Sequence, residues 1–338
     1  MAWYITNKPH LNPDAENEYI TNITDSGGKN EFSIFIDGYI VPRAYIFEEY
    51  KDKPSKDIVA RLYRKYGNEF VNHVKGAFVV ILLFKDKFYI FNDRHGLKKY
   101  FIYQDGSVFF ISSSLKHVSE EFHLTPDKEN IAVFALISHF INGCTLFQSV
   151  SSCRPAQILT YDPHGLTSLS YWKPGDLLEG RSIRTLEPFD YARQWKQIVG
   201  NYILYLCPKN ISLTLTGGND SRMILAALIS LQAGFRAFTF GNPGSYDAVI
   251  ASEVSKCAEI SHEIYFTDHV TEPWFRKNAS AIIGHGNSLI NIHRAHRNDA
   301  IEQELSHHLG TEMVFTGLVG GEYLKEPSYN DIAIPVLF

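Results

Sequence analysis

Residues 211–228, ISLTLTGGNDSRMILAAL, constrain the fold of this chain most strongly. Ile211 to Leu215 alternate apolar and small polar side chains, which predicts a strand that enters a core. The apolar run 223–228 predicts a helix, and a turn with two adjacent glycines separates it from the strand. A strand, a glycine turn and a helix in this order direct backbone N–H groups and a helix dipole toward an anion. The pattern alone also allows an ordinary turn between a strand and a helix.

The side chains of this turn suit a phosphate and a metal ion. Gly217 and Gly218 let the backbone approach a phosphate closely, because they carry no side chain. Asp220 offers a carboxylate to a divalent cation, and Ser221 is a candidate helix cap. The turn is not a Walker A loop, since no Gly-Lys-Ser/Thr follows at the required spacing.

The turn, TGGNDS at residues 216–221, resembles the SGGxDS pyrophosphate loop of the asparagine synthetase family and related ATP pyrophosphatases. Residues 238–267, FTFGNPGSYDAVIASEVSKCAEISHEIYFT, are similar along their whole length to a second segment of those synthetases. The resemblance implies ATP and Mg²⁺ as cofactors and an adenine pocket formed by Leu213, Leu215 and Phe240. It assigns pyrophosphate and magnesium to Thr216, Gly217, Gly218, Asp220 and Ser221.

A third family landmark is only partly present, at residues 313–323, MVFTGLVGGEY. Thr316 and Gly317 match the nucleotide-contacting Ser-Gly of the family. Leu318, Val319 and Gly321 replace its Glu, Gly and Asp, so Glu322 alone keeps a carboxylate. The resemblance therefore makes Glu322 a candidate metal ligand and catalytic residue together with Asp220, and a solvated loop carboxylate is the alternative for Glu322.

Composition predicts two soluble domains without a basic nucleic-acid-binding face. The chain has 338 residues, 45% of them hydrophobic, and a net charge of −5. Neither a signal peptide nor an apolar run long enough to span a bilayer stands out, so we expect a cytoplasmic protein with no membrane partner. The four cysteines form no CxxC pair, which favours reduced thiols over a metal site.

The first half of the chain is rich in short predicted strands. Strands are expected at 32–36, 78–84, 88–91 and 107–112, with one helix at 57–66. Residues 76–103, GAFVVILLFKDKFYIFNDRHGLKKYFIY, are similar to the class II glutamine amidotransferase domain of asparagine synthetases, and the match is colinear over about residues 32–172. The resemblance implies an α+β, Ntn-hydrolase-like sandwich.

The glutaminase residues of that family are missing. Its nucleophile is an N-terminal cysteine, whereas this chain has Ala2 and no cysteine before Cys144. Its glutamine-binding Asn-Gly-Glu falls at Asp37-Gly38-Tyr39. We therefore expect the domain at 1–180 to be an inactive remnant.

The second half alternates strands with helices, which predicts a parallel sheet. A linker at 175–183 precedes a helix at 189–206, and strands are expected at 235–240 and 261–266. Ligands bind such sheets at the carboxyl ends of the strands, where 217–221 and 241–247 both lie. The resemblance makes 181–338 an α/β ATP-pyrophosphatase (adenine nucleotide alpha hydrolase-like) domain.

The end of the chain and its histidines carry weaker signals. Family members continue well beyond the loop of Glu322 into helices that supply a catalytic lysine, so we expect a truncated chain or a separate partner chain with the missing part. His293 and His296 are spaced for one helix face, but no further zinc ligands are evident. His262 is expected to pack near the sheet.

The resemblance implies an ATP-dependent enzyme that adenylates a small-molecule or peptide carboxylate and transfers ammonia or an amine to it, without its own glutaminase. Two alternatives remain. One is a lasso-peptide-type or secondary-metabolite cyclase of the same family. The other is a degenerate, non-catalytic nucleotide-binding or regulatory protein.

Overall fold

The computed structural model describes residues 2–8, 20–21, 32–177, 187–289, 292 and 296–317. It divides the chain into two compact units. The first comprises 1–184 and 279–292, and the second comprises 185–278 and 293–338. Residues 279–292 thus group with the first unit although they lie inside the predicted second domain. Within the described residues, no helix has the length and apolar character needed to cross a bilayer.

The first unit is built mainly of antiparallel strands. Its described strands are β1 Tyr4–Thr6, β2 Ile20–Thr21, β3 Ser33–Pro42, β4 Val74–Leu83, β5 Phe88–Asn92, β6 Phe101–Asp105, β7 Val108–Ser112, β8 Val150–Ser152, β9 Gln157–Asp162 and β10 Gly165–Ser170. They form one sheet in the order β2-β1-β7-β6-β8 and another in the order β10-β9-β5-β4-β3. Its helices are α1 Phe47–Tyr50, α2 Ser55–Tyr66, α3 Leu115–Glu121 and α4 Lys128–Ile137.

Both sheets of the first unit contribute to one hydrophobic core. Ile5 and Ile111 of the first sheet belong to the same buried cluster as Val79 and Ile81 of the second. Successive residues of a strand point to opposite faces, so Val80 is buried on the far side of β4. Burial on both faces explains the continuous apolar run of β4. The predicted α+β architecture, the β4–β5 hairpin and the helix near 57–66 are confirmed.

The second unit contains a parallel sheet with helices on both faces. Its strands are β11 Ile211–Thr214, β12 Arg236–Phe240, β13 His262–Tyr265 and β14 Met313–Thr316, in the order β13-β12-β11-β14. Its helices are α5 Pro188–Leu206, α6 Asn219–Ser230, α7 Tyr246–Cys257 and α9 His296–His307, while α8 Glu272–His285 runs across the boundary between the units. The predicted parallel sheet is confirmed.

Alternate residues of the central strands separate the two faces of this sheet. Leu213 and Ala237 pack into a cluster with residues of α5, α6 and α7. Phe238, which follows Ala237 directly, packs on the opposite face with Ala300 of α9. The sheet is therefore covered on both sides, as the near-continuous apolar strands of a parallel sheet require.

Candidate functional site

The glycine turn lies where the strand order of the parallel sheet reverses. From β11 the chain proceeds outward to β12 and β13, and it then returns to place β14 on the other side of β11. In open α/β sheets, ligands bind outside the carboxyl ends of the strands at such a reversal. The turn follows the carboxyl end of β11 directly, and Gly317 follows that of β14.

The helix after the turn begins earlier than its apolar run. Gly218 is the residue before the first turn of α6, and no side chain caps it. The prediction that Ser221 caps the helix is therefore wrong, because Ser221 already lies within the first turn. The first N–H groups of a helix have no partner within the helix, so this uncapped end can accept an anion.

Hydrogen bonds hold the turn in a defined shape. The hydroxyl of Ser221 accepts a hydrogen bond from the N–H of Thr216 at 3.1 Å, and the two hydroxyls lie 3.1 Å apart. The N–H of Gly218 donates to Oγ1 of Thr216 at 3.1 Å. These contacts tie the strand end to the first turn of α6, so Thr216 and Ser221 support the turn through their side chains.

Gly217 and Gly317, two of the predicted site residues, have little room for a side chain. A Cβ on Gly217 would lie 3.1 Å from the ring of Tyr246 and 3.3 Å from Oδ1 of Asp247. A Cβ on Gly317 would lie 2.5 Å from the backbone nitrogen of Ser221. The backbones of β14 and α6 therefore meet closely beside the turn, which brings Gly317 to the predicted loop.

Asp247, which was not predicted as a site residue from the sequence, also lies at the turn. Its Oδ1 accepts a hydrogen bond from the N–H of Gly217 at 2.8 Å. Asp247 is in the first turn of α7, after the carboxyl end of β12. In the sequence, the signal for Asp247 was its place in the 241–247 segment at a strand end. In the structure, its contact with Gly217 brings a second carboxylate to the turn besides Asp220.

Magnesium suits this donor set better than zinc does. Within the part of the chain that the structure describes, no group of three or more His, Cys, Asp or Glu side chains is positioned to hold a metal. Magnesium commonly takes one or two protein carboxylates and completes its shell with water and phosphate oxygens. Asp220 and Asp247 fit that pattern. Glu322 lies outside the described residues.

The residues predicted for adenine lie at the same sheet but differ in exposure. The side chains of Leu213 and Leu215 are fully buried in the core. Only their backbone is available to a ligand. Phe240 is partly exposed at the end of β12, and its ring centroid lies 5.8 Å from that of His296. Thr316 is exposed at the end of β14.

The histidines of the second unit have structural partners. His262 lies on β13, with Nε2 2.7 Å from Oγ1 of Thr239, and burial lowers its pKa. Glu263 bridges His307 and His308, each at 3.0 Å. His293 lies outside the described residues, and His296 begins α9.

In the first unit, Asp37, which the resemblance matches to a glutamine-binding Asn, is an ion-paired acid. Oδ1 of Asp37 forms an ion pair with the ammonium of Lys98 at 2.6 Å, and Oδ2 accepts a hydrogen bond from the indole N–H of Trp3 at 3.1 Å. Both carboxylate oxygens are thus engaged. Tyr39, which aligns with the family's Glu, is two residues further along β3.

Comparison with known proteins finds a glutamine amidotransferase domain in the first half of the chain and asparagine synthetases among its sequence relatives. Residues 46–172 match the glutamine amidotransferase domain family. The chain is 25% identical over 135 residues to glutamine-hydrolyzing asparagine synthetase 3 of Bacillus subtilis (strain 168), a match that covers 38% of this chain and 22% of the relative. It is 24% identical over 209 residues to putative glutamine-hydrolyzing asparagine synthetase 2 of Methanocaldococcus jannaschii, covering 56% of this chain and 38% of the relative.

The similar solved structures are more distant. Glutamine phosphoribosylpyrophosphate amidotransferase from B. subtilis, complexed with ADP and GMP, has a TM-score of 0.30 at 8% identity, covering 78% of this chain and 59% of that one. Glutamine-dependent NAD+ synthetase from Acinetobacter baumannii, in complex with ADP, has a TM-score of 0.31 at 15% identity, covering 53% and 32%. TM-scores this low support neither a fold nor a functional assignment.

The sequence relatives and the matched domain agree with each other, although the chain spans well under half the length of either synthetase. The chain is therefore similar in sequence to asparagine synthetases over part of its length, and it matches the glutamine amidotransferase domain over residues 46–172.

Proposed function

We propose that this chain acts in ATP-dependent amide-bond formation, in which a carboxylate is activated as its adenylate and ammonia or an amine then displaces AMP. The observation that carries the proposal is the uncapped start of α6, which lies beside Asp220 and Asp247 at the reversal of the parallel sheet. The similarity to asparagine synthetases supports the same class of reaction. Bound Mg–ATP would supply the activating adenylyl group.

The chain's own groups would bind and orient the nucleotide. The backbone N–H groups of the first turn of α6, which no side chain caps, would stabilise negative charge on the leaving pyrophosphate. Asp220 and Asp247 would hold magnesium, with Glu322 as a further candidate ligand. Asp247, whose Oδ1 accepts a hydrogen bond from the N–H of Gly217, would offer its carboxylate to the metal.

The nitrogen donor is inferred from two residues of the first unit. Ala2 lacks a nucleophilic thiol, and Asp37 is already paired with Lys98 and Trp3. The family has a neutral amide at the matching position. Asp37 is instead a carboxylate that is engaged by a cation, so it cannot serve as that amide. We therefore propose free ammonia or an amine of the acceptor as the nitrogen donor.

Calorimetric titration with Mg–ATP tests the nucleotide site. We expect saturable, magnesium-dependent binding that weakens at least about tenfold in Asp220→Asn, because one charge-assisted metal contact is lost. Glu253→Gln is the matched control, since it removes one negative charge from an exposed position of α7. Failure of the wild-type chain to bind Mg–ATP would sink the proposal.

Catalysis needs a separate measurement. The full chain is incubated with Mg–ATP, ammonium and a panel of small and peptide carboxylates, and AMP and pyrophosphate are quantified. Equimolar release that depends on a carboxylate supports the enzyme. Nucleotide binding without release of AMP and pyrophosphate under every condition favours the non-catalytic alternative. The structural argument for that alternative is that Asp247 already accepts a hydrogen bond from the N–H of Gly217.

A further inference from the structure

The first unit contains an open cleft of about 700 Å³ that is separate from the glycine turn. One wall is the segment after α4, and another is the segment that leaves β8. Its volume falls in the range of small-molecule sites, about 300–1,000 Å³. The lining residues are Lys99, His139, Phe140, Asn142, Gly143, Cys144, Ser152, Cys153, Arg154, Pro155 and Leu289.

The charge of this cleft is opposite to that of the chain. Lys99, His139 and Arg154 line it, and none of the lining residues is acidic. The whole chain carries a net charge of −5. Among the described residues, the neighbouring lysine Lys98 is ion-paired with Asp37, whereas Lys99 and Arg154 have no carboxylate partner. Two unpaired cations in a concave site attract an anion and focus its approach.

The walls of the cleft are fixed by buried contacts. The carbonyl of Gly143 accepts the N–H of Ser152 at 2.7 Å, and Gly143 has a φ of 80°. A Cβ on Gly143 would lie 2.8 Å from the carbonyl oxygen of Ser152. The wall therefore requires glycine at this position, where the two segments cross.

The backbone of Arg154 and the ammonium of Lys99 both have close neighbours in the structure. The N–H of Arg154 donates to Gln157 at 3.1 Å, and its carbonyl accepts from Asn92 at 2.7 Å. The ammonium of Lys99 packs over Gly96, 3.3 Å from the point that a Cβ there would occupy. A wall whose backbone is already fixed loses less conformational entropy when a ligand binds.

We infer that this cleft binds a small anionic metabolite that carries phosphate or carboxylate groups. The guanidinium of Arg154 presents paired N–H donors that match two oxygens of either group, and the ammonium of Lys99 adds a compact charge. The site goes beyond the proposed amide-forming reaction and does not depend on it, because the lining residues all belong to the first unit.

Alkylation of Cys144 reports occupancy of the cleft directly. Cys144 is half-buried in the lining, whereas Cys207 and Cys257 are exposed in the second unit and serve as internal references. The full chain is treated with iodoacetamide in the presence of inorganic pyrophosphate or citrate, and each cysteine is followed by peptide mass spectrometry. Sodium chloride at equal ionic strength is the control for screening.

We expect either probe to slow the alkylation of Cys144, about tenfold when the probe is at about ten times its Kd, while Cys207 and Cys257 react at unchanged rates. Protection by pyrophosphate alone identifies a phosphate ligand, and protection by citrate alone identifies a polycarboxylate. Lys99→Gln and Arg154→Gln should each weaken the probe's affinity about tenfold. Lys116→Gln, an exposed lysine of α3, should leave it unchanged.

Two results would overturn the inference. One is alkylation of Cys144 at the same rate with and without both probes at millimolar concentration. The other is equal protection of Cys144 in the wild type and in both cleft variants, since the cations would then have no part in binding. Circular dichroism of each variant confirms that a loss of protection does not come from unfolding.

Discussion

Gly317 lies where the end of β14 meets the first turn of α6, and the backbone leaves no space there for a side chain. A Cβ would come within 2.5 Å of the nitrogen of Ser221 and 3.0 Å of the carbonyl carbon of Asp220. We expect Gly317→Ala to reduce the free energy of unfolding by about 1–3 kcal/mol, because backbone atoms must move apart. Urea denaturation measures this change, and Mg–ATP affinity should fall with it.

A glycine with open surroundings provides the control for this substitution. A Cβ on Gly234 would meet nothing within 4 Å, so Gly234→Ala should change stability by less than about 0.5 kcal/mol. Equal effects of the two substitutions would show that the close approach at Gly317 has no energetic consequence.

At the residue scale, local chemistry was readable from the sequence and the partners were not. The glycine turn was predicted from TGGNDS, because a glycine pair between an apolar strand and an apolar helical run marks a turn. The contact between Gly217 and Asp247 joins residues on different strand ends, so only the packed sheet could assign it. The same holds for Gly317, whose neighbour Ser221 is far away in sequence.

At the scale of elements, a buried carboxylate fastens α9 to the parallel sheet. Glu304 is fully buried and pairs with Arg236 of β12 at 2.7 Å and with the hydroxyl of Tyr265 of β13 at 2.7 Å. Ser212 of β11 also donates to it. A buried charge is tolerated because it is paired and hydrogen-bonded, and these contacts link one helix to three strands.

Replacing Glu304 by Gln leaves Arg236 without its counter-charge. We expect Glu304→Gln to lower the free energy of unfolding by about 2–3 kcal/mol, below the roughly 3–5 kcal/mol for breaking a fully buried pair, since Arg236 keeps partial contact with water. Urea denaturation at neutral pH measures the difference. Glu253→Gln, on the exposed face of α7, should have an effect near zero.

The same carboxylate predicts how stability depends on pH. Burial raises the pKa of Glu304, but hydrogen bonds from Ser212, Arg236 and Tyr265 outweigh it and hold the pKa below its usual value. A depressed folded-state pKa stabilises the fold above the unfolded-state pKa, about 4.3, and this contribution is lost as pH falls through the folded-state pKa. The stability gap between wild type and Glu304→Gln should therefore narrow below about pH 4. A gap that stays constant in acid would contradict this.

The elements themselves were largely predictable, and their ends were less so. The strand and helix order of the parallel sheet followed from apolar periodicity, as did the hairpin of β4 and β5. The helix of residues 223–228 begins at Asn219, because the glycine turn ends there and not at the first apolar residue. That shift places Asp220 and Ser221 in the first helical turn.

At the scale of the whole molecule, the first unit matches an amidotransferase domain, and the absence of glutaminase activity from it is a prediction. We expect incubation of the chain with glutamine to release no glutamate, because Ala2 offers no nucleophile and Asp37 is paired with Lys98. An amperometric or coupled glutamate assay measures this. Glutamate release above that of a heat-denatured sample would contradict this prediction and show that the domain has glutaminase activity.

The sequence by itself predicted most strands of the parallel sheet, the helix after the turn and the position of the glycine turn, since apolar periodicity and the Gly-Gly pair act over a few residues. It could not determine which strand ends meet, because contacts such as that of Gly217 with Asp247 depend on the order of strands in the sheet. The basic cleft beside Lys99 and Arg154 was likewise invisible in the sequence. Its cations lie on separate segments, and only their packing against the loop at Gly143 brings them to one concave surface.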